Sequence, residues 1–443
     1  MGKFDYAPAP ESRDIVALRE SYGLFIDGDF VPGLGDGVFK TISPATEEVL
    51  AEVTEASPAD VDRAVSAARR AYEQTWSVLP GRERAKYLFR IARIIQERAR
   101  ELAVLESLDN GKPIRESRDV DIPLAAAHFF YYAGWADKLE HAGFGQDPRP
   151  LGVAGQVIPW NFPLLMLAWK IAPALACGNT VVLKPAETTP LTALLFAEIC
   201  QQADLPPGVV NIVTGAGPTG HALVTHPGID KIAFTGSTEV GKEIARAAGR
   251  KKVTLELGGK AANIVFADAP VDQAVEGIVN GIFFNQGHVC CAGSRLLVQE
   301  SVYDQVLASL RRRLATLRLG DPLDKNTDVG AINSPAQLAK IRELSDSGEA
   351  EGAERWSAPC ELPVKGFWFP PTVFTGVSPA HRIAREEIFG PVLSVLTFRT
   401  PAEAVAPDQP ATALRAAVTA SRASLREAIA ALARKLSLWS VTG

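Results

Sequence analysis

Apolar residues recur at helical spacing between Arg82 and Leu108, where Leu88, Ile91, Ile94, Ile95, Leu102 and Leu105 form one stripe. That spacing predicts one long amphipathic helix over 82–108, stopped by Asn110-Gly111-Lys112-Pro113. A shorter helix starts near Asp60, behind Ser57-Pro58-Ala59, with Val61, Ala64, Val65 and Ala68 on its inner face. Ahead of it, residues 1–20 read as a loose arm, and Leu24–Val31 and Val49–Val53 as short strands. The first of these carries the turn Asp27-Gly28-Asp29.

From Gly152 onward the pattern changes. Short apolar runs at Val153–Val157, Thr180–Lys184, Val209–Val213, Lys231–Phe234 and Val253–Leu257 predict strands. Helical patterns at Thr189–Ala203, Thr219–Thr225 and Thr238–Ala248 lie between them. A second block follows, with a strand at Ser294–Gln299 and helices at Val302–Leu317 and Gln337–Ser347. Alternation of this kind predicts an α/β protein built on a doubly wound parallel sheet.

Composition narrows the class. The 443 residues are 47% hydrophobic and 22% charged, enough for two or three domains with large cores. A net charge of −5 gives no basic footprint for nucleic acid. No apolar run reaches the roughly 18 residues of a membrane span. The candidate at Leu164–Leu175 is interrupted by Lys170 and Pro173. Five cysteines, an odd number, do not read as a disulfide framework and point to a reducing, cytoplasmic setting. No metal site is expected.

Two segments carry the chemistry: Leu255-Glu256-Leu257-Gly258-Gly259-Lys260 and Asn285-Gln286-Gly287-His288-Val289-Cys290-Cys291-Ala292-Gly293. A cysteine in a Gly-rich turn and a carboxylate in a Gly-Gly turn supply a soft nucleophile and a base. Those two groups can form and then hydrolyse an acyl-enzyme. Together the segments resemble the signatures of the NAD(P)-dependent aldehyde dehydrogenase superfamily, and the chain from about Leu24 to Ala406 agrees. The resemblance implies a Rossmann-type cofactor domain, an α/β catalytic domain and oxidation of an aldehyde to a carboxylic acid with NAD. It makes Cys290 the nucleophile and Glu256 the base that activates water. Relatives that pass the acyl group to coenzyme A typically lack that glutamate. Asn161, in Pro159-Trp160-Asn161-Phe162-Pro163, would be the oxyanion donor.

Three further segments are assigned to the cofactor. Phe234-Thr235-Gly236-Ser237-Thr238-Glu239-Val240-Gly241 places Gly236, Ser237 and Gly241 at a strand-to-helix turn suited to a pyrophosphate. By resemblance, Lys184 and Glu187 bond the adenosine ribose, with the Trp160 backbone in the same cleft. A carboxylate there disfavours the 2′-phosphate of NADP and so favours NAD. Glu387 would hold the nicotinamide ribose, and Phe389 would pack near the nicotinamide. Phe162, Met166, Trp169 and Phe284 match tunnel positions, which implies uncharged aliphatic or aromatic aldehydes. No Arg or Lys is evident for a carboxylate-bearing substrate.

The expected organisation is a NAD-binding domain over 1–136 and 152–257, a shortened oligomerisation segment over 137–151, an incomplete catalytic domain over 258–406 and a divergent helical tail over 407–443. The 139–151 stretch, with Gly143, Gly145, Pro148 and Pro150, is a poor strand. An intact relative would be a homodimer. Past Ala406 relatives continue for roughly another 70–100 residues that this chain lacks. Its own ending is Ala- and Arg-rich and predicts a helix over Leu414–Leu436. Loss of the closing strands is expected to expose a sheet edge and apolar surface and to weaken the protein. The short 139–151 stretch, Val289-Cys290-Cys291 and Phe369-Pro370-Pro371-Thr372-Val373-Phe374 resemble a subgroup whose full chains carry a second, degenerate dehydrogenase unit. Two other readings stand beside the dehydrogenase: an impaired fragment or scaffold that keeps cofactor binding, and an esterase that uses Cys290 and Glu256 without cofactor.

Overall fold

The computed structural model describes residues 7–143, 148–404 and 417–419. The chain divides into two units, one of Met1–Leu257 with Pro322–Lys325, the other of Gly258–Asp321 with Asn326–Gly443.

In the first unit, β1 (Ser21–Tyr22), β4 (Val38–Ile42) and β5 (Val49–Thr54) make a small sheet in the order β1-β5-β4. Strands β2 (Leu24–Ile26) and β3 (Asp29–Val31) form a hairpin, closed by Asp27 and Gly28 at positive φ. They extend the main sheet, whose remaining strands are β6 (Val153–Val157), β7 (Thr180–Lys184), β8 (Val210–Ile212), β9 (Lys231–Gly236) and β10 (Lys252–Leu257). The order is β10-β9-β6-β7-β8-β2-β3, with β10-β9-β6-β7-β8 parallel, so every linking helix crosses a face of the sheet. One face buries Val153, Val182 and Ile232 against Val61, Ala64 and Ala68 of the Pro58–Ala71 helix. Ser57 and Asp60 form a capping box that starts that helix. The helices Leu191–Gln202, Gly217–Thr225 and Thr238–Ala247 fall inside the predicted helical segments or overlap them closely.

The helix expected over 82–108 is two helices, Gly81–Glu97 and Ala99–Asn110. The break is at Arg98, with φ −97° and ψ 17°. Its guanidinium binds Glu101 and Glu198, so tertiary charge partners hold the corner that the continuous apolar stripe conceals. The helices Ile122–Trp135 and Pro163–Ala176 went unrecognised because they are apolar on most sides.

The second unit is built on β11 (Ala262–Val265), β12 (Arg295–Gln299), β13 (Glu354–Ser357), β14 (Thr372–Thr375), β15 (Val392–Phe398) and β16 (Ala417–Thr419), in the order β13-β14-β15-β12-β11-β16. One face packs Ile264, Leu297 and Leu396 against Ile341 and Ile383; the other packs Val265, Leu296 and Val395 against Ile278 and Leu310. Within the expected tail helix, residues 417–419 are instead a strand, paired in parallel with β11. The rest of Leu414–Leu436 lies outside the described residues. The outer edge of β11 therefore carries a partner strand. Backbone pairing needs only an extended segment, and Ala-Val-Thr supplies one with two β-branched residues.

Candidate functional site

In the first unit the parallel register brings the carboxyl ends of β7, β9 and β10 to one edge of the sheet, where ligands of such sheets bind. Lys184 ends β7 and is buried. Its Nζ donates to the carbonyls of Pro185 at 2.7 Å and Gly215 at 2.6 Å, and lies 3.9 Å from the Glu187 carboxylate. Burial pulls the ammonium below its usual pKa, and Glu187 and Glu55 offset part of that. Glu187 itself is half exposed. Gly236 ends β9, and a Cβ there would stand 2.5 Å from the Phe234 ring. Ser237 caps the following helix by accepting from the Val240 N–H. The turn thus presents bare backbone and a helix N-terminus, which fits the pyrophosphate of a dinucleotide. Gly241 packs that helix onto β10, because a Cβ would meet Leu257 at 2.4 Å.

Glu256 lies exposed near the end of β10, opposite Thr235 of β9. Thr235 accepts a 2.5 Å hydrogen bond from Lys170, a buried cation on the Pro163–Ala176 helix. Glu256, Lys170 and Trp169 line one cavity of 740 Å³. Phe162 and Met166 are buried.

The loop that carries Trp160 and Asn161 has supports that sequence reasoning missed. Asn110 donates to the Trp160 carbonyl at 2.6 Å, and the Leu164 N–H donates to Glu106 at 3.2 Å. Glu106, Lys112 and Asp121 are all fully buried; Lys112 lies 2.5 Å from Asp121 and 3.5 Å from Glu106, with its ammonium 4.3 Å from the Phe162 ring centre. Burial raises the Glu106 carboxyl to about 8, with Lys112 pulling the other way. Burial would depress Lys112, but Asp121 and Glu106 together outweigh it and leave the ammonium raised. In the sequence Lys112 reads only as part of a helix stop.

In the second unit, three segments converge. The turn before Cys290 runs through Asn285 and Gln286, both fully buried and both left-handed at φ 48° and 53°. Such conformations are costly for side chains with a Cβ and need fixed partners. Gln286 finds one in the Ala331 carbonyl at 3.0 Å. Gly287 follows at φ 75°, where a Cβ would lie 2.0 Å from the Gly390 carbonyl oxygen. His288 is buried and stacks on Phe389, ring centres 5.8 Å apart. Gln337 holds the Ile388 and Phe389 carbonyls at 3.1 and 2.8 Å. Glu387 accepts from the Gly259 N–H at 3.2 Å, and a Cβ on Gly258 would sit 1.9 Å from its carboxylate. Burial raises the Glu387 carboxyl. The Gly258-Gly259 turn, the cysteine turn and the Glu387–Phe389 segment are thus packed as one body.

A match to the aldehyde dehydrogenase family spans residues 30–434. The chain belongs to that family. The match runs past Ala406, where the motif-level resemblance stops. Human retinal dehydrogenase 2 is 48% identical over 396 residues, 86% of this chain and 76% of that protein. A putative aldehyde dehydrogenase of Bacillus subtilis is 46% identical over 88% of this chain and 81% of its own length. Among solved structures, the NAD+ complex of an aldehyde dehydrogenase from Bacillus cereus is similar with TM-score 0.87 at 40% identity, covering 94% of this chain and 87% of that one. An indole-3-acetaldehyde dehydrogenase in complex with NAD+ gives TM-score 0.88 at 40% identity, over 94% and 88%. The α/β fold is therefore that of aldehyde dehydrogenases.

Cys290 and its neighbour Cys291 are both exposed. The Cys290 thiol is pushed up, first by its contact with the Cys291 sulfur, then by burial of the sulfur and by the Glu387 charge.

Proposed function

We propose that this protein oxidises an aldehyde to a carboxylic acid with NAD through Cys290. The observation that carries the reading is the packing of the Cys290 turn against Glu387–Phe389 and Gly258-Gly259 through contacts that leave no room for a Cβ at Gly258 or Gly287. The Cys290 sulfur loses its proton and bonds to the aldehyde carbon. Asn161 and the Cys290 backbone N–H donate to the oxygen as it gains charge. Bound NAD would supply the acceptor for the hydride of this carbon. Glu256 then takes a proton from water, the water oxygen attacks the remaining thioester, and the Cys290 sulfur leaves and is reprotonated. One aldehyde, one NAD+ and one water give one carboxylic acid, one NADH and one proton.

The backbone of Trp160 with Lys184, Glu187, Gly236, Ser237, Gly241, Glu387 and Phe389 would hold the cofactor. Glu187 favours NAD over NADP because its carboxylate repels a 2′-phosphate. A cytoplasmic setting is supported by five free thiols. No helix among the described residues is long and apolar enough to cross a membrane.

The deciding experiment is NADH formation by the purified chain with aliphatic and aromatic aldehydes, beside Cys290→Ala. Turnover lost in the variant is the expected result. Bound NAD without turnover would replace this reading with the cofactor-binding scaffold, and cofactor-independent ester hydrolysis alone would replace it with the esterase.

A further inference from the structure

The buried Lys184 ammonium feels two carboxylates, Glu187 and Glu55. Glu55 directly follows β5 and is half-buried. Both of its neighbours in the chain are tied to the loop after β8. The Thr54 carbonyl accepts from Thr214 Oγ1 at 2.6 Å. The Ala56 N–H donates to the Thr214 carbonyl at 2.8 Å, and the Ala56 carbonyl accepts from Thr219 Oγ1 at 2.8 Å. Between them, Glu55 accepts from the Ala216 N–H at 3.4 Å. Lys184 donates to the Gly215 carbonyl at 2.6 Å. That carbonyl and the Ala216 N–H belong to one peptide unit, so the ammonium holds its oxygen side and the carboxylate its nitrogen side. Only glycine suits position 215, because at φ 150° a Cβ would lie 2.2 Å from Thr219 Oγ1. Glu55 is thereby fixed at the carboxyl edge of the sheet, on the far side of one peptide from Lys184.

The balance of charge decides which dinucleotide this end of the cleft accepts. Lys184 and Glu187 lie 3.9 Å apart and offset each other. By themselves they would oppose the nearly doubly charged 2′-phosphate of NADP only weakly. Glu55 leaves the three groups, one cation and two acids, with a net negative charge. We propose that Glu55 is a specificity-determining residue that acts with Glu187 to select NAD over NADP. The inference rests on the reading of Lys184 and Glu187 as the adenosine-ribose site. It adds the acid that Lys184 does not cancel. Ala216 is also the N-cap of the Gly217–Thr225 helix, so Glu55 could serve only to satisfy its N–H. In that role its charge would not matter to the choice of cofactor. Glutamine separates the two roles, because its amide oxygen still accepts from the Ala216 N–H while the charge is gone.

The test is calorimetric titration of the full chain with NAD+ and with NADP+ at low salt, which needs no turnover. Glu55→Gln is expected to raise the ratio of NADP+ to NAD+ affinity by about fivefold or more. Adding Glu187→Gln should raise it further. Repeating the titrations in about 0.5 M salt should shrink the gain, because the charge is only half-buried and solvent ions screen it. A ratio unchanged by Glu55→Gln, with NAD+ still bound, would overturn the inference and leave the cofactor reading standing. Equal weakening of both dinucleotides would overturn it in favour of the helix anchor. A wild-type chain that binds neither would overturn the reading of Lys184 and Glu187 as the ribose site, and this inference with it.

Discussion

Replacing Lys112 with methionine tests whether buried charge holds the loop of Trp160 and Asn161. Lys112 is fully buried, 2.5 Å from Asp121 and 3.5 Å from Glu106. Methionine matches the stem and removes the ammonium, which leaves Asp121 and the protonated Glu106 in an apolar interior without their cation. Breaking a buried pair on one side costs about 3–5 kcal/mol, because the remaining charge has no compensation. Urea denaturation should show that loss as a lower midpoint with little change in slope. The loss should also depend on pH. Glu106 is already raised to about 8 in the folded chain against an ordinary 4.5, so the folded state holds a proton that the unfolded state releases. Stability from that proton is present below pH 4.5 and is lost as pH rises through about 8, and without Lys112 the loss extends higher. A triple variant, Lys112→Met with Glu106→Gln and Asp121→Asn, should recover most of the loss, since neutral groups there need only hydrogen bonds. A single-variant loss below about 1 kcal/mol, or a triple variant no better than the single one, would refute the reasoning.

Gly258→Ala places a Cβ against the Glu387 carboxylate; KM for NAD should rise about tenfold or more while the melting temperature stays within a few degrees. Gly287→Ala combines a clash with the Gly390 carbonyl and a left-handed φ; it should lower stability by more than about 2 kcal/mol in the same denaturation assay. Cys291→Ala removes the first cause of the raised Cys290 thiol, so iodoacetamide should label Cys290 faster at neutral pH, and an unchanged rate would contradict that cause. Asp109 is raised to about 7 by burial, against hydrogen bonds from Thr41 and the Leu191 N–H. Its share of stability is present below its ordinary 3.8 and lost as pH rises through about 7, and Asp109→Asn should flatten the denaturation midpoint across that window.

The alternation of strands and helices after Gly152, the capped helix after Ser57 and the hairpin at Asp27-Gly28 were legible because each is a local event. Period, cap and turn chemistry all act over a few residues. Cys290 and Glu256 were legible as candidates for a similar reason, since each sits in its own Gly-rich segment. What escaped reading is non-local. The Arg98 corner depends on Glu198, the buried Glu106–Lys112–Asp121 cluster on a helix packing that hides ordinary surface residues, and β16 on an edge strand that accepts any extended partner.

By itself, the sequence determined the parallel α/β architecture, the nucleophile and base candidates and the glycines at turns, because spacing and backbone freedom are properties of short segments. Only the tertiary structure decided which groups meet. It brought Glu55 to the peptide unit that Lys184 holds, seated Glu387 on the Gly258-Gly259 backbone, and put the Cys291 sulfur and the Glu387 charge where they raise the Cys290 thiol. Register, burial and charge proximity arise from packing segments far apart in the chain, and the free energy of burying or pairing a charge exists only once those segments are folded together.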